Sequence, residues 1–304
     1  MNNTYPIREF ARLTGVNPVT LRAWERRYGI IAPERTAKGH RYYTGQHLEH
    51  VRHILYWLDQ GYPIRQVRML LQEAQQPDPQ NDDDWPQLQQ QILQAARHLH
   101  SQRLDELWNQ GFATYPLAVY YERCLQPVMQ QLRSGTEQAL VLKCFEALLK
   151  RKLACVAAQQ QRHNRGPVLL LATTHKQAEL DTLACACALG AAEIRVEYFA
   201  ANLQPAELML AREVIAAQQV WIHFHPLPAA QQQQWQEYLW QQQFPHCLSG
   251  TVPCDVSSNN QIEIMPALLS QQVRQYINQN HSRMQEVPVC YQQQSGGQRY
   301  GEQQ

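Results

Sequence analysis

Apolar positions in the first seventy residues recur at helical spacing in short bursts, each closed by glycine. Ile7, Phe10, Ala11 and Leu13 line one face of a helix that Thr4 precedes and Gly15 ends. Asn17 followed by Pro18 is an N-cap with proline at the first helical position, so a second helix is predicted to about Tyr28. That helix is short and carries Arg22, Arg26 and Arg27. Thr36 to Tyr43 reads as a small hairpin turning at Lys38-Gly39. Leu48, Val51, Ile54, Leu55 and Leu58 give a third helix stopped by Gly61, and Pro63 through Leu71 a fourth.

Residues 85–161 predict three longer amphipathic helices. Their stripes are Leu88, Ile92, Ala96, Leu99 and Leu107; then Leu117, Tyr121, Leu125, Val128 and Leu132; then Val141, Phe145, Leu148 and Val156. At Pro167 the rhythm changes. Apolar strands at 167–173, 193–201, 220–226, near 246–252 and at 261–266 alternate with helices at 177–190, 205–218 and 229–243, and a last helix follows. Buried strands alternating with helices argue for a parallel sheet of the doubly wound α/β type. The fold class is therefore multidomain: a winged helix-turn-helix in 1–74, a linker in 75–86, a helical bundle in 87–163 and a doubly wound domain in 167–282. Residues 283–304, ending QQQSGGQRYGEQQ, offer few anchors and are expected to be disordered.

Charge sharpens that division. The net charge of +1 conceals 11 basic and 6 acidic side chains in residues 1–75, against 16 and 20 in the rest. A basic first module on an acidic remainder is the asymmetry of a chain whose N-terminal part meets a polyanion. Glutamine supplies 45 of 304 residues, but most alternate with helix-spaced apolar positions and read as neutral helix surface. No stretch approaches the roughly 20 apolar residues of a membrane span, and no signal-peptide pattern opens the chain. Eight cysteines without a CxxC fit free thiols in a reducing compartment, so a cytoplasmic location is expected.

A short helix, a tight turn, a second arginine-bearing helix and a basic hairpin make a helix-turn-helix with a wing, the shape that enters a major groove and flanks it. The run GVNPVTLRAWERRYGIIAPERTAKGHRYYTGQHLEHVRHIL (15–55) resembles the winged-helix domain of MerR-family transcription regulators, and the likeness extends over residues 4–72. It implies DNA contacts from Thr20, Arg22, Arg26, Arg27 and Tyr28 on the helix and from Lys38, His40, Arg41 and Tyr42 on the wing. It also implies a homodimer, or higher homo-oligomer, on an inverted-repeat operator in double-stranded DNA. From the residues themselves, Leu21 is core, Trp24 packs between helices, and Glu25 is an intramolecular partner for an arginine.

A bundle followed by a doubly wound domain resembles the light-sensing cobalamin repressors of the CarH type, most clearly over LLLATTHKQAELDTLACACALGAAEIRVEYFAANLQPAEL (169–208). In that family a loop Asp/Glu-x-His-x-x-Gly supplies the lower cobalt ligand, and Trp-x9-Glu-His caps the upper axial group. Those places hold Lys176, Ala178 and Asp181, and Leu132, Leu142 and Lys143. Alanine has no lone pair to give a metal, so no cofactor is expected. The pattern is similar to the MlrA/BluR-like branch of MerR regulators. The rival reading is a cobalamin-dependent light-sensing repressor with displaced ligands.

Other constellations are weaker. His175 lies three residues before Ala178. His223 and His225 alternate on a predicted strand and so point the same way, but two imidazoles without a third ligand are usually packing. Cys185 and Cys187 face different directions on a helix. No GxSxG, HExxH, Walker loop or GxGxxG occurs, so no metal site and no enzyme activity are expected. The chain reads as a sequence-specific DNA-binding regulator whose C-terminal half is a sensory module for a protein partner or small-molecule effector.

Overall fold

The computed structural model describes residues 4–72, 84–134, 139–199, 201–253 and 259–286. Its first unit comprises β1 (Thr4–Pro6), α1 (Ile7–Thr14), α2 (Pro18–Ala23), β2 (Glu34–Arg35), β3 (Arg41–Thr44), α3 (Gly45–Asp59) and α4 (Ile64–Gln72). The Asn17 side chain accepts the Val19 N–H at 2.8 Å, as the cap signal requires, and α2 runs straight into a π-helical turn over Trp24–Tyr28. Gly15 ends α1 at φ 70, a left-handed position where a side chain would be strained. Three residues before α1 form a strand that the helical pattern did not predict: Thr4–Pro6 pairs antiparallel with β3, giving a three-stranded sheet in the order β1-β3-β2. A segment so short has no readable period. What makes it a strand is the free edge of the wing, with the Tyr43 ring stacked on Phe10 at 4.1 Å.

The bundle consists of α5 (Asp84–Arg97), α6 (Ser101–Thr114), α7 (Leu117–Tyr120) continued through a π turn into α8 (Gln126–Ser134), and α9 (Ala139–Gln161). The first of the three predicted stripes is thus two helices. Leu99 is not in the buried stripe; it is exposed, at φ 53, in the turn between them. His100 N–H returns to Ala95 O at 3.0 Å and Leu99 N–H to Ala96 O at 2.9 Å, a Schellman closure with leucine where glycine or asparagine is usual. Helix α5 begins inside the span read as linker, and Trp85 is buried with its indole N–H on Gly61 O at 2.8 Å. Residues 73–83 lie outside the described ones.

The last unit is a five-stranded, fully parallel sheet of β4 (Val168–Thr173), β5 (Arg195–Glu197), β6 (Gln219–Phe224), β7 (His246–Gly250) and β8 (Ile262–Ile264), in the order β5-β4-β6-β7-β8. Its helices are α10 (Glu179–Ala191), α11 (Pro205–Ile215), α12 (Ala229–Trp240) and α13 (Leu269–Glu286), so the domain is doubly wound. All six β4 side chains are buried, which explains an apolar run without alternation. β5 is much shorter than the predicted 193–201 because it is an edge strand: among the described residues beyond Glu197, only an isolated bridge from Thr173 to Ala201 continues it. α13 runs past the predicted boundary at 282 to Glu286, and the predicted disordered tail beyond it lies outside the described residues.

One apolar cluster runs unbroken from Phe10 and Trp24 in the first unit, through Trp108 and Tyr120 in the bundle, to Leu169, Cys187, Trp221 and Ile277 on one face of the sheet. The opposite face, with α11 and α12, forms its own cluster around Ile222, Leu208 and Trp235. Between bundle and sheet lies α10, buried from Thr182 to Gly190. A Cβ at Gly190 would meet the Gln160 side chain at 2.3 Å, so the small residues of LACACALGA let α9 approach closely.

Candidate nucleic-acid interface

The helix from Pro18 to Tyr28 has two faces. Thr20, Leu21, Ala23 and Trp24 are buried, whereas Arg22, Arg26 and Arg27 are exposed and form no ion pair among the described residues. Arg22 and Arg26, four residues apart, lie on one stripe. Tyr28 is half-buried at the end of that helix.

The wing follows. Thr36 N–H bonds to His40 O at 2.9 Å and Gly39 N–H to Thr36 O at 2.8 Å, closing a turn that leaves Lys38 and His40 exposed. Gly39 takes φ 80 with open space where its Cβ would be, so backbone at the wing tip can lie against a phosphate. The base of the wing is held differently. Arg41 Nε donates to Glu25 at 2.6 Å and Arg35 Nη2 to its other oxygen at 2.8 Å. Burial alone would raise the Glu25 carboxyl, but the hydrogen bonds from Arg41 and Arg35 overcome it and hold the group below the usual carboxylate range; Glu25 in turn raises Arg41. Arg41 is therefore committed to strapping the wing onto the helix. Tyr42 likewise donates its hydroxyl to Glu34. Arg35 lies just outside the predicted hairpin of Thr36 to Tyr43; the strand register, which sets Arg35 opposite Arg41, brings both guanidiniums onto Glu25.

One expected contact is corrected. Thr20 is fully buried, and its hydroxyl donates to Phe112 O of α6 at 3.2 Å, so in this arrangement it faces the bundle and not a duplex. Beside it, Trp24 packs as expected, its indole N–H on Thr114 O at 2.8 Å. The second helix therefore carries arginines outward and docks its inner face on the bundle of the C-terminal half.

In that half, five of the six places aligned with the cobalamin family fall around the C-terminal edge of the sheet, and the sixth, Leu132, lies within the bundle. Ala178 is buried and offers no donor atom. The Asp181 carboxylate accepts from Tyr121 Oη at 2.9 Å and Gln126 Nε2 at 3.2 Å, committing it to the bundle. Leu132 is bundle core, while Leu142, Lys143 and Lys176 border an open groove of about 810 Å³ between α9 and the 176–181 segment. These side chains do not match the donor set cobalamin requires.

His223 and His225 do not both belong to the strand whose alternation predicted that they point the same way. The strand ends at Phe224. His223 stays inside, where Trp221 donates to Ser249 Oγ at 2.9 Å and that hydroxyl meets His223 Nδ1 at 2.8 Å; burial lowers the imidazole pKa. His225, in the following loop, stacks instead on His175 at 4.8 Å. Among the described residues, no cluster of three or more His, Cys, Asp or Glu side chains is placed to hold a metal ion, and no helix is long and apolar enough to cross a membrane.

Residues 5–74 match the sequence profile of the MerR HTH family regulatory proteins. Over 182 residues the chain is 30% identical to the HTH-type transcriptional regulator MlrA of Salmonella typhimurium (strain SL1344), covering 58% of this chain and 72% of that protein. It is 26% identical over 232 residues to the HTH-type transcriptional repressor CarH of Myxococcus xanthus, covering 70% of this chain and 75% of that one. Among solved structures, the monomethylamine corrinoid protein of Methanosarcina barkeri superposes with a TM-score of 0.47 at 7% identity, over 64% of this chain and 98% of that chain. A winged helix-turn-helix with an outward arginine row, and a relative aligned along most of its length, lead to one conclusion: the chain belongs to the MerR family of DNA-binding transcriptional regulators.

Proposed function

We propose that this chain binds an inverted-repeat operator as a homodimer, through Arg22, Arg26, Arg27 and Tyr28 in the major groove and Lys38 and His40 of the wing on the flanking backbone. The observation that carries the reading is the outward row of arginines, exposed and without acidic partners among the described residues, beside a wing tip open to close approach. Arg41 and Tyr42, held by Glu25 and Glu34, set the wing's position and meet phosphate from there. One such module reads few base pairs, so two-fold pairing supplies the rest of the specificity.

The C-terminal half works in this proposal without cobalamin, as a sensory or partner-binding module. Support comes from Ala178 in the cobalt-ligand place and from Asp181, whose carboxylate is engaged by Tyr121 and Gln126. The chain is a regulator and not an enzyme in this reading.

The test is binding of the full chain to labelled genomic fragments in competition with bulk DNA across a salt series. Arg26→Ala is expected to weaken binding by about tenfold or more and to reduce the salt slope by about one. An unchanged slope with unchanged affinity removes the helix from the contact list. Sedimentation of the same sample checks the dimer. Mixing with adenosylcobalamin followed by desalting checks the cofactor: no retained visible absorbance is expected, and retained colour overturns the cofactor-free reading.

A further inference from the structure

The N-terminal edge of the sheet, opposite the end where the cobalamin-family positions gather, opens into a cleft of about 370 Å³. That volume is within the range of small-molecule sites. Its walls are apolar: Pro167, Ala192, Ile194, Pro245, and Tyr276 and Ile277 of α13. Its charged groups are mostly basic, with Arg12, Arg165 and Arg195 against Glu193. Glu193 is offset by Arg8 at 3.8 Å, and Arg195 is paired with Glu197 at 3.2 Å. Arg165 is exposed and forms no ion pair among the described residues. An apolar slot with one uncommitted guanidinium at its rim is complementary to a small amphiphile with an apolar body and a single carboxylate.

The cleft's position gives it a consequence. Arg12 comes from α1 of the DNA-binding unit, the other side chains from the sheet domain and α13, so an occupant touches both. Ile277, one of its walls, also reaches the turn between α1 and α2: a Cβ at Gly15 would lie 2.7 Å from Ile277 Cδ1. Any shift of Ile277 is felt where the second helix of the DNA-binding unit begins. Glu193, which joins the cleft to Arg8 of α1, is held at φ 60, a strained backbone position for a residue with a side chain. Two sites coupled through one packed side chain satisfy what an effector needs, namely contacts that differ between two placements of the DNA-binding unit.

We propose that this cleft binds a small amphipathic carboxylate and that its occupancy alters DNA affinity through Ile277 and Gly15. The binding half stands alone; the coupling half rests on the DNA-binding reading above. Sodium decanoate, kept below micelle formation, is the probe. Calorimetric titration of the full chain without DNA is expected to show one saturable site per chain. Binding should be about tenfold weaker for Arg165→Gln or for uncharged decanol, and lost for Asn280→Trp, which fills the mouth from α13. No saturable binding, or both variants binding like the parent, overturns the site. Arg165 is exposed, so its variant remains informative even where the tryptophan disturbs folding.

Coupling is read by anisotropy of a labelled random-sequence duplex. Saturating decanoate is expected to change duplex affinity by at least about threefold, and the duplex must change decanoate affinity by the same factor. Saturated protein with unchanged duplex affinity overturns the coupling. A parent chain that binds no duplex even without decanoate overturns the operator-binding reading and the coupling, while calorimetry still decides the site.

Discussion

Glu25 shows how a single carboxylate organises the arginine-bearing surface of the first unit. It sits on the second helix among arginines and takes Arg41 and Arg35, the two that face it across the hairpin, leaving Arg22, Arg26 and Arg27 exposed. Such a pair is worth little to global stability at a surface, but it fixes the angle between helix and wing. Replacing it, Glu25→Gln, releases two guanidiniums. Binding to random duplex is expected to hold or strengthen, with a salt slope steeper by about one to two, while preference for specific fragments falls. Full retained preference with an unchanged slope argues that the wing is positioned by other contacts. Because the folded-state carboxyl is depressed, the strap is complete above its ordinary titration range and is lost as pH falls through the lowered value. Sequence alone made Glu25 a partner for some arginine; which ones depended on the hairpin register.

Among the elements, β7 contains the clearest acid-sensitive group. His246 is buried; its Nδ1–H donates to Phe244 O at 2.9 Å, and its Nε2 accepts from Tyr238 Oη at 3.1 Å. Burial pushes it down to about 4 from its ordinary 6.5. An unfolded chain therefore binds a proton there that the folded chain refuses, and stability, complete above about pH 6.5, declines toward pH 4 by roughly 3 kcal/mol. Thermal midpoints over this range should fall for the parent and fall less for His246→Gln; equal acid sensitivity in both sinks the assignment. The elements also show what periodicity can convey. Asn17-Pro18 and Gly15 are local signals and were legible. Leu99 was not, since leucine in a left-handed turn carries no glycine to announce it. The strand Thr4–Pro6 was not either, because its cause is a free edge almost forty residues away.

Across the whole molecule, the apparent modules share one core and a set of polar ties. Asp59 at the end of α3 pairs with Arg274 of α13, Arg123 of the bundle donates to Asp59 O, and Glu122 accepts the Ser270 N–H at 2.8 Å. The DNA-binding unit is thereby fastened to both bundle and sheet domain. A single calorimetric transition is expected for the full chain. Arg274→Gln leaves the buried Asp59 carboxylate without that partner and should split off an earlier transition belonging to residues 4–72. Two resolved transitions already present in the parent would show that the ties are too weak to couple the units.

By itself the sequence determined most of the helices and strands, that a basic DNA-binding unit precedes a bundle and a parallel sheet, and which arginines line the second helix. Those properties follow from local propensity, period and charge, which the chain carries at every point. Only the tertiary structure decided that Thr20 turns inward, that Arg41 is a strap, that Gly15 meets Ile277, and that a cleft opens beside Arg165. Each of these depends on which of several equally apolar faces meet. Hydrophobic burial is non-directional, and shape and hydrogen-bond satisfaction among distant residues select the partner.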